Sequence, residues 1–169
     1  PLLIAIVRVG IGGAIMLAAA AARGEFARPR RYLNPVFLVA GLAQAAFNFS
    51  YFTGLRMAGV AIGTMIAIGS VPIFSGLLGI LFNREPAGAR WYSATAMAVV
   101  GVGLLFGGCG AASVNPLGVL FALLAGFSYS FFTFISGRLV RSFTPDSLIS
   151  VSFVLATCML VPFALSVPL

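Results

Sequence analysis

From Met57 to Phe82 the chain reads MAGVAIGTMIAIGSVPIFSGLLGILF, a run without one charged side chain and with its only proline, Pro72, close to the middle. A helix rises about 1.5 Å per residue, so this run exceeds the roughly 30 Å hydrocarbon core of a bilayer and can cross it with some tilt. A soluble core helix rarely needs to be apolar on every face. Pro72 has no N–H to give, and its ring presses on the carbonyl one turn earlier, at Ile68. That loosens a backbone acceptor near the expected membrane midplane, where protein or a water-lined cavity has to receive it. Pro72 is therefore a hinge or cavity element on one reading, and a kink packed against neighbouring helices on the other.

The rest of the chain extends the same signal. Hydrophobic residues make up 61% of it and charged residues 8%, against soluble averages of about half and about a quarter. Six membrane segments are expected, at about 1–22, 33–55, 57–82, 91–112, 116–137 and 147–169, joined by short connections. The net charge of +7 comes from ten arginines and no lysine, and most of them lie in alternate joins. The first join, Arg23 to Arg31, holds four arginines against Glu25; the third holds Arg84 and Arg90 against Glu85; the fifth adds Arg138 and Arg141. The positive-inside rule places these three joins in the cytoplasm, with Cys109 outside and Arg56 as the one exception. The arginines thus read as an orientation signal, and no nucleic-acid partner is expected. A start at Pro1 and an end inside an apolar run at Leu169 are what a piece of a longer protein would show.

Polar residues inside the segments are the candidates for function. Arg8 falls within the first apolar run, roughly 10 Å from its outer end. Insertion of an arginine at a helix centre costs about 2.5–3.5 kcal/mol, so its side chain needs a partner, water, an anionic ligand or a route to the headgroups. Substrate contact and snorkelling anchor are the two readings. Gly41, Gln44, Asn48 and Tyr51 form a stripe along the second segment, and Ala122, Gly126, Tyr129, Thr133 and Ser136 form another along the fifth. Leu120, Leu124, Phe127, Phe131 and Phe134 occupy the opposite, lipid-facing side of the fifth. Gln44, Asn48 and Tyr51, with Tyr129 and Thr133, are candidates to bind a polar substrate, the alternative being hydrogen bonds between helices. Gly59 and Gly63 make a GxxxG pair suited to close helix packing.

Other chemistries lack their groups. The chain contains no histidine, and its acids all fall in joins, which leaves intramembrane hydrolysis without a general acid or base. Cys109 and Cys158 are far apart, with no CxxC pair, so neither a zinc set nor a disulfide framework is suggested. No enzyme activity, metal or cofactor is expected.

The order of motifs resembles the EamA-type branch of the drug/metabolite transporter superfamily. Pro1 with Arg8 is similar to the opening of that family's second helix, and YFTGLRMA at 51–58 to its third-to-fourth helix turn. SVPIFSGLL at 70–78 resembles its proline-bearing fourth helix, with Glu85 closing it. Trp91, Gly101 and Val102 fall where its fifth helix carries an aromatic and then Gly-Val. PLGVLFALLAGFSYS at 116–130, ending in Arg138, resembles the start of its second repeat. The chain departs from the pattern at Tyr129, often Trp in the family, and at Asn83-Arg84-Glu85.

The resemblance implies an all-α, polytopic helix bundle, part of a ten-helix fold of two inverted five-helix repeats around a central cavity. Residues 1–112 would supply helices two to five of the first repeat, and 113–169 the first two helices of the second. It implies a secondary transporter in the bacterial inner membrane, exporting small metabolites or drugs by alternating access. Arg8, Gln44, Asn48, Tyr51, Tyr129 and Thr133 would line the substrate site, with Pro72 as hinge, and the partners would be a small-molecule substrate and the lipid bilayer. The rival reading is a non-transporting membrane module that assembles, for instance as a homodimer, through glycine-rich helix faces.

Overall fold

A computed structural model of the chain describes residues 2–25, 34–83, 88–108 and 115–166. Its elements are helical throughout the described residues: α1 (Leu2–Ala22), α2 (Pro35–Ala58), α3 (Val60–Leu78) running into a π-helical turn (Gly79–Asn83), α4 (Ala89–Gly108), α5 (Pro116–Leu139) and α6 (Pro145–Ser166). Each expected membrane segment is thus a long helix, and four of them, from α2, α3 with its π turn, α5 and α6, are long and apolar enough to cross a bilayer among the described residues. Glu85, Cys109, Arg84 and the arginines at 28, 30 and 31 lie outside the described residues.

Local sequence sets the helix ends. Asn34 and Asn115 each precede a proline at the first helical position, and their Oδ1 atoms accept from the N–H of Val36 and Leu117 at 3.1 and 3.0 Å. Such caps satisfy donors that a helix start leaves without an internal partner. α1 ends on Gly24, whose φ of 72° lets the N–H groups of Glu25 and Gly24 return to the carbonyls of Ala20 and Ala21. Only Gly59 separates α2 from α3. Its φ of 89° and ψ of 152° belong to a region open to glycine almost alone. The expected GxxxG pair is thereby divided between two tasks: Gly59 makes the turn, and Gly63 lets α3 approach Leu55 of α2. Arg56, read in sequence as a join residue, belongs to the last turn of α2, where a cation complements the helix dipole.

The chain divides into two compact units, Pro1–Phe49 with Ile135–Leu169, and Ser50–Phe134. In the first unit α1 runs antiparallel to α6. A Cβ at Gly10 would meet Thr157 Cγ2 at 3.4 Å, one at Gly13 would meet Phe153 Cβ at 3.0 Å, and Arg23 pairs with Asp146 at the end of the contact. The first part of α2 runs in the same direction as α6, with Gly41 against Leu155 and with Val9, Ala45, Ala156 and Leu160 buried together. Lipid tails are as apolar as these side chains, so close packing rather than burial from water holds such helices together, and glycine permits it.

In the second unit the later part of α2 meets α5 in antiparallel fashion, Gly54 against Ala122, while α3 and α5 run parallel, with Gly126 against the Ala67 carbonyl. Ser130 Oγ donates to the carbonyl of Val71 at 3.1 Å, Phe74 meets Phe127 edge-on at 5.5 Å, and Trp91 of α4 covers Gly76. In both units the helix directions agree with the alternation that the arginines specify.

Candidate functional site

α2 is an alanine-rich helix in its middle, and Gln44 and Asn48 stand one turn apart on it. Both are buried, Asn48 completely. Asn48 Nδ2 donates to the carbonyl of Gln44 at 2.8 Å. That bond fixes which end of the amide is which, because the reversed orientation would set two oxygens against each other. Asn48 Oδ1 is consequently an acceptor, and neither it nor Gln44 Oε1 has a hydrogen-bond partner. Buried polar atoms are paired in the great majority of cases, and these two oxygens on one membrane helix are among the exceptions.

The remaining candidates have other surroundings. Arg8 is exposed on α1 beside Val9, which is buried at 3% exposure and fixes the rotation of the helix. In the second unit Tyr51 Oη lies 3.2 Å from Thr64 Oγ1, joining α2 to α3. Tyr129 is 41% exposed and Thr133 is exposed one turn later, its hydroxyl donating to the Tyr129 carbonyl at 2.9 Å. On α5 the buried face is instead Ala122, Ala125, Gly126, Ser128 and Ser130. α3 continues as helix through Pro72. The backbone around the proline is served by hydroxyls, with Ser70 Oγ donating to the Ala67 carbonyl at 3.0 Å and Ser130 Oγ to that of Val71. The structure therefore brings Gln44 and Asn48 together in one unit, and Tyr129 with Thr133 in the other.

Three hydroxyls share the orphan state, each with a buried, unpartnered oxygen: Ser136, which belongs to the polar stripe read on the fifth segment, and Ser152 and Thr95, which the sequence did not single out. Ser152 is the most enclosed, with no exposure at all. Nothing in SLISVSF distinguishes it from Ser147 or Ser150. A separate hollow of about 200 Å³ lies between α2 and α6, lined by Leu42, Ala45, Ala46, Phe49, Met159 and Leu160. Its lining is apolar, and neither Gln44 nor Asn48 contributes to it. Among the described residues no group of histidine, cysteine, aspartate and glutamate could hold a metal.

The model of the EamA-like transporter family matches residues 1–107. The chain belongs to that family. The uncharacterized transporter YwfM of Bacillus subtilis is 32% identical over 162 residues, an alignment that covers 96% of this chain and 54% of the relative. The EamA-like chain thus spans about half the length of that curated relative. A solved crystal structure superposes on 98% of the chain and 57% of its own, with a TM-score of 0.74 at 24% identity, and the likeness shows a shared fold. The EamA-like chain is accordingly an all-α, multi-pass membrane protein.

Proposed function

We propose that this EamA-like chain forms part of a secondary transporter that moves small metabolites or drugs out of the cell by alternating access, in the bacterial inner membrane. The observation that carries the reading is the pair of buried, unpartnered oxygens on Gln44 and Asn48. At membrane depth water cannot satisfy them, and a polar solute in transit can. Family membership supplies the activity class, and YwfM, although uncharacterized, is named as a transporter.

In this reading Gln44 and Asn48 bind substrate in the first unit and Arg8 contributes a cationic contact. In the second unit Tyr51, Tyr129 and Thr133 are further substrate contacts and Pro72 is the hinge of α3. Residues 1–112 belong to one five-helix repeat and 113–169 to the beginning of its inverted copy. Reciprocal contacts support that assignment: Gly10 meets Thr157 while Gly13 meets Phe153 and the backbone of Val154, as expected near a two-fold axis relating α1 to α6.

Extracellular metabolite profiling tests the proposal. Cells expressing the protein are compared with empty cells and with cells expressing Asn48→Ala at matched membrane abundance. A compound that accumulates outside only with the unsubstituted protein supports export and the role of Asn48. Equal accumulation with both proteins removes Asn48 from the site. No difference from empty cells across growth media removes export.

A further inference from the structure

Gly41 sets α2 and α6 close together, since a Cβ there would lie 2.7 Å from Cβ of Leu155. Past that contact α2 offers only the methyl groups of Ala45 and Ala46, and the hollow of about 200 Å³ between the two helices is the result. The larger side chains of Phe49 and Met159 complete its wall. A water needs about two to four polar partners, which this lining does not supply, whereas apolar cavities of about 150 Å³ stay dry and take up benzene. The hollow is therefore suited to hydrocarbon.

Its depth and its approach narrow the occupant. Ala45 and Ala46 stand about 15 Å from the start of α2 at Pro35, half of the roughly 30 Å hydrocarbon core. That is the level at which an acyl chain of the cytoplasmic leaflet ends. Leu42 on the rim is 58% exposed, and Leu38, one turn earlier on the same face, is 54% exposed. An apolar track thus leads along α2 from its cytoplasmic start to the hollow. The end from which the track begins is basic. Among the described residues Arg23, Arg138 and Arg141 stand there against Glu25 and Asp146. Asp146 is paired with Arg23, and Glu25 accepts from Thr144. Arg141 is exposed in the connection from α5 to α6, and that connection rests on the first turn of α2, where Phe143 meets Phe37 edge-on at 4.9 Å.

We propose that the α2–α6 groove is the seat of an anionic phospholipid of the cytoplasmic leaflet, with one acyl chain in the hollow and its phosphate at the basic end, against Arg141. Hydrocarbon chains are the solvent of this face, so by mass action they outcompete other apolar occupants. A zwitterionic headgroup carries a cation beside its phosphate and gains less from an arginine than a net negative one does. The inference adds a lipid site to the transport reading and does not depend on it.

Quenching of tryptophan by lipids brominated on their acyl chains tests the proposal. The full chain with Trp91→Phe, which removes its single tryptophan, receives Leu42→Trp on the rim or Met97→Trp as control. Met97 is 76% exposed on α4, and both positions lie about two turns from the start of their helix. The vesicles contain equal amounts of phosphatidylglycerol and phosphatidylcholine, with bromine on one or the other. The two brominated lipids should quench Met97→Trp equally. At Leu42→Trp brominated phosphatidylglycerol should quench more, and adding Arg141→Gln should lower that preference about fivefold, the worth of one arginine near an anionic surface. Ala46→Phe, which puts a ring into the hollow, should also reduce it.

Equal quenching of Leu42→Trp by the two lipids would overturn the anionic class. A preference that survives Ala46→Phe would overturn the hollow as the seat of the chain, and one that survives Arg141→Gln would remove the arginine from it. No quenching at Leu42→Trp beside a quenched Met97→Trp would show that another helix or a second copy covers the groove, and the lipid would be the wrong occupant.

Discussion

The indole of Trp91 lies across Gly76 so closely that a single methyl group at position 76 would occupy the space of its six-membered ring. This contact joins the first turn of α4 to the end of α3, just before the π-helical turn at Gly79–Asn83. Gly76→Ala should therefore destabilise the second unit by overpacking, by about 1–3 kcal/mol, read as a lower Tm in detergent. Trp91→Leu in the same chain should recover most of that loss, because the clash is with the ring. Additive effects of the two substitutions would show that the contact does not set the position of α4.

Gly59 has nothing within 4 Å of where a Cβ would lie. Its requirement for glycine is therefore conformational alone. Gly59→Ala should cost about 1–3 kcal/mol through backbone strain, although it adds no contact. Gly101, also in open space but within a helix, provides the comparison: Gly101→Ala should be neutral or stabilising by up to about 1 kcal/mol. Thermal unfolding of the two variants side by side reads the difference.

Much of this architecture is legible in the sequence because membranes leave few choices. The asparagine-proline pairs at 34–35 and 115–116 mark the starts of α2 and α5, and alternate basic joins give helix directions that the contacts Gly41–Leu155 and Gly126–Ala67 reproduce. The boundary at Gly59 was harder to read, since Arg56 looks like a join residue while a helix C-terminus accepts arginine without breaking. Partner choice was the least legible. The stripe on α2 groups Gln44, Asn48 and Tyr51 by spacing, yet Tyr51 meets Thr64 while the oxygens of the other two meet nothing. The stripe on α5 groups Tyr129 and Thr133 with Ala122 and Gly126, whereas the buried polar positions of that helix are Ser128 and Ser130. Ser152 could not be singled out, because it shares its residue type with Ser150 and differs in having no hydrogen-bond partner.

The end of the first unit at Arg23 offers a test of which polar contacts matter. Arg23 pairs with Asp146, and Thr144 donates to Glu25 while standing 2.9 Å from Ser147 Oγ. The ion pair is exposed, 64% at Arg23 and 35% at Asp146, so Asp146→Asn should cost no more than about 1 kcal/mol, and less in high salt. Thr144→Val removes a hydroxyl that bonds the Glu25 carboxylate and lies against Ser147 at the start of α6, and because the bond is exposed it should cost about 0.5–1.5 kcal/mol. The order of the two Tm values decides whether the hydroxyl or the charge pair fastens α1 to α6.

Arg8 separates folding from transport. Its neighbour Val9 is buried among Ala45, Ala156 and Leu160 and fixes the rotation of α1, so Arg8→Ala should leave the fold assembled, read as unchanged membrane abundance. An arginine roughly 10 Å inside an apolar helix nonetheless carries an insertion cost, and a protein that retains it has a use for the charge. With transport as that use, Arg8→Ala abolishes export of any compound found by metabolite profiling while leaving membrane abundance intact. Arg8→Lys keeps the charge but not the planar fork of donors, so it restores transport only in part if the guanidinium grips its partner through two bonds. Full transport by Arg8→Ala would assign the side chain to the headgroup region, and the substrate contacts of the first unit would then rest on the uncharged oxygens of Gln44 and Asn48.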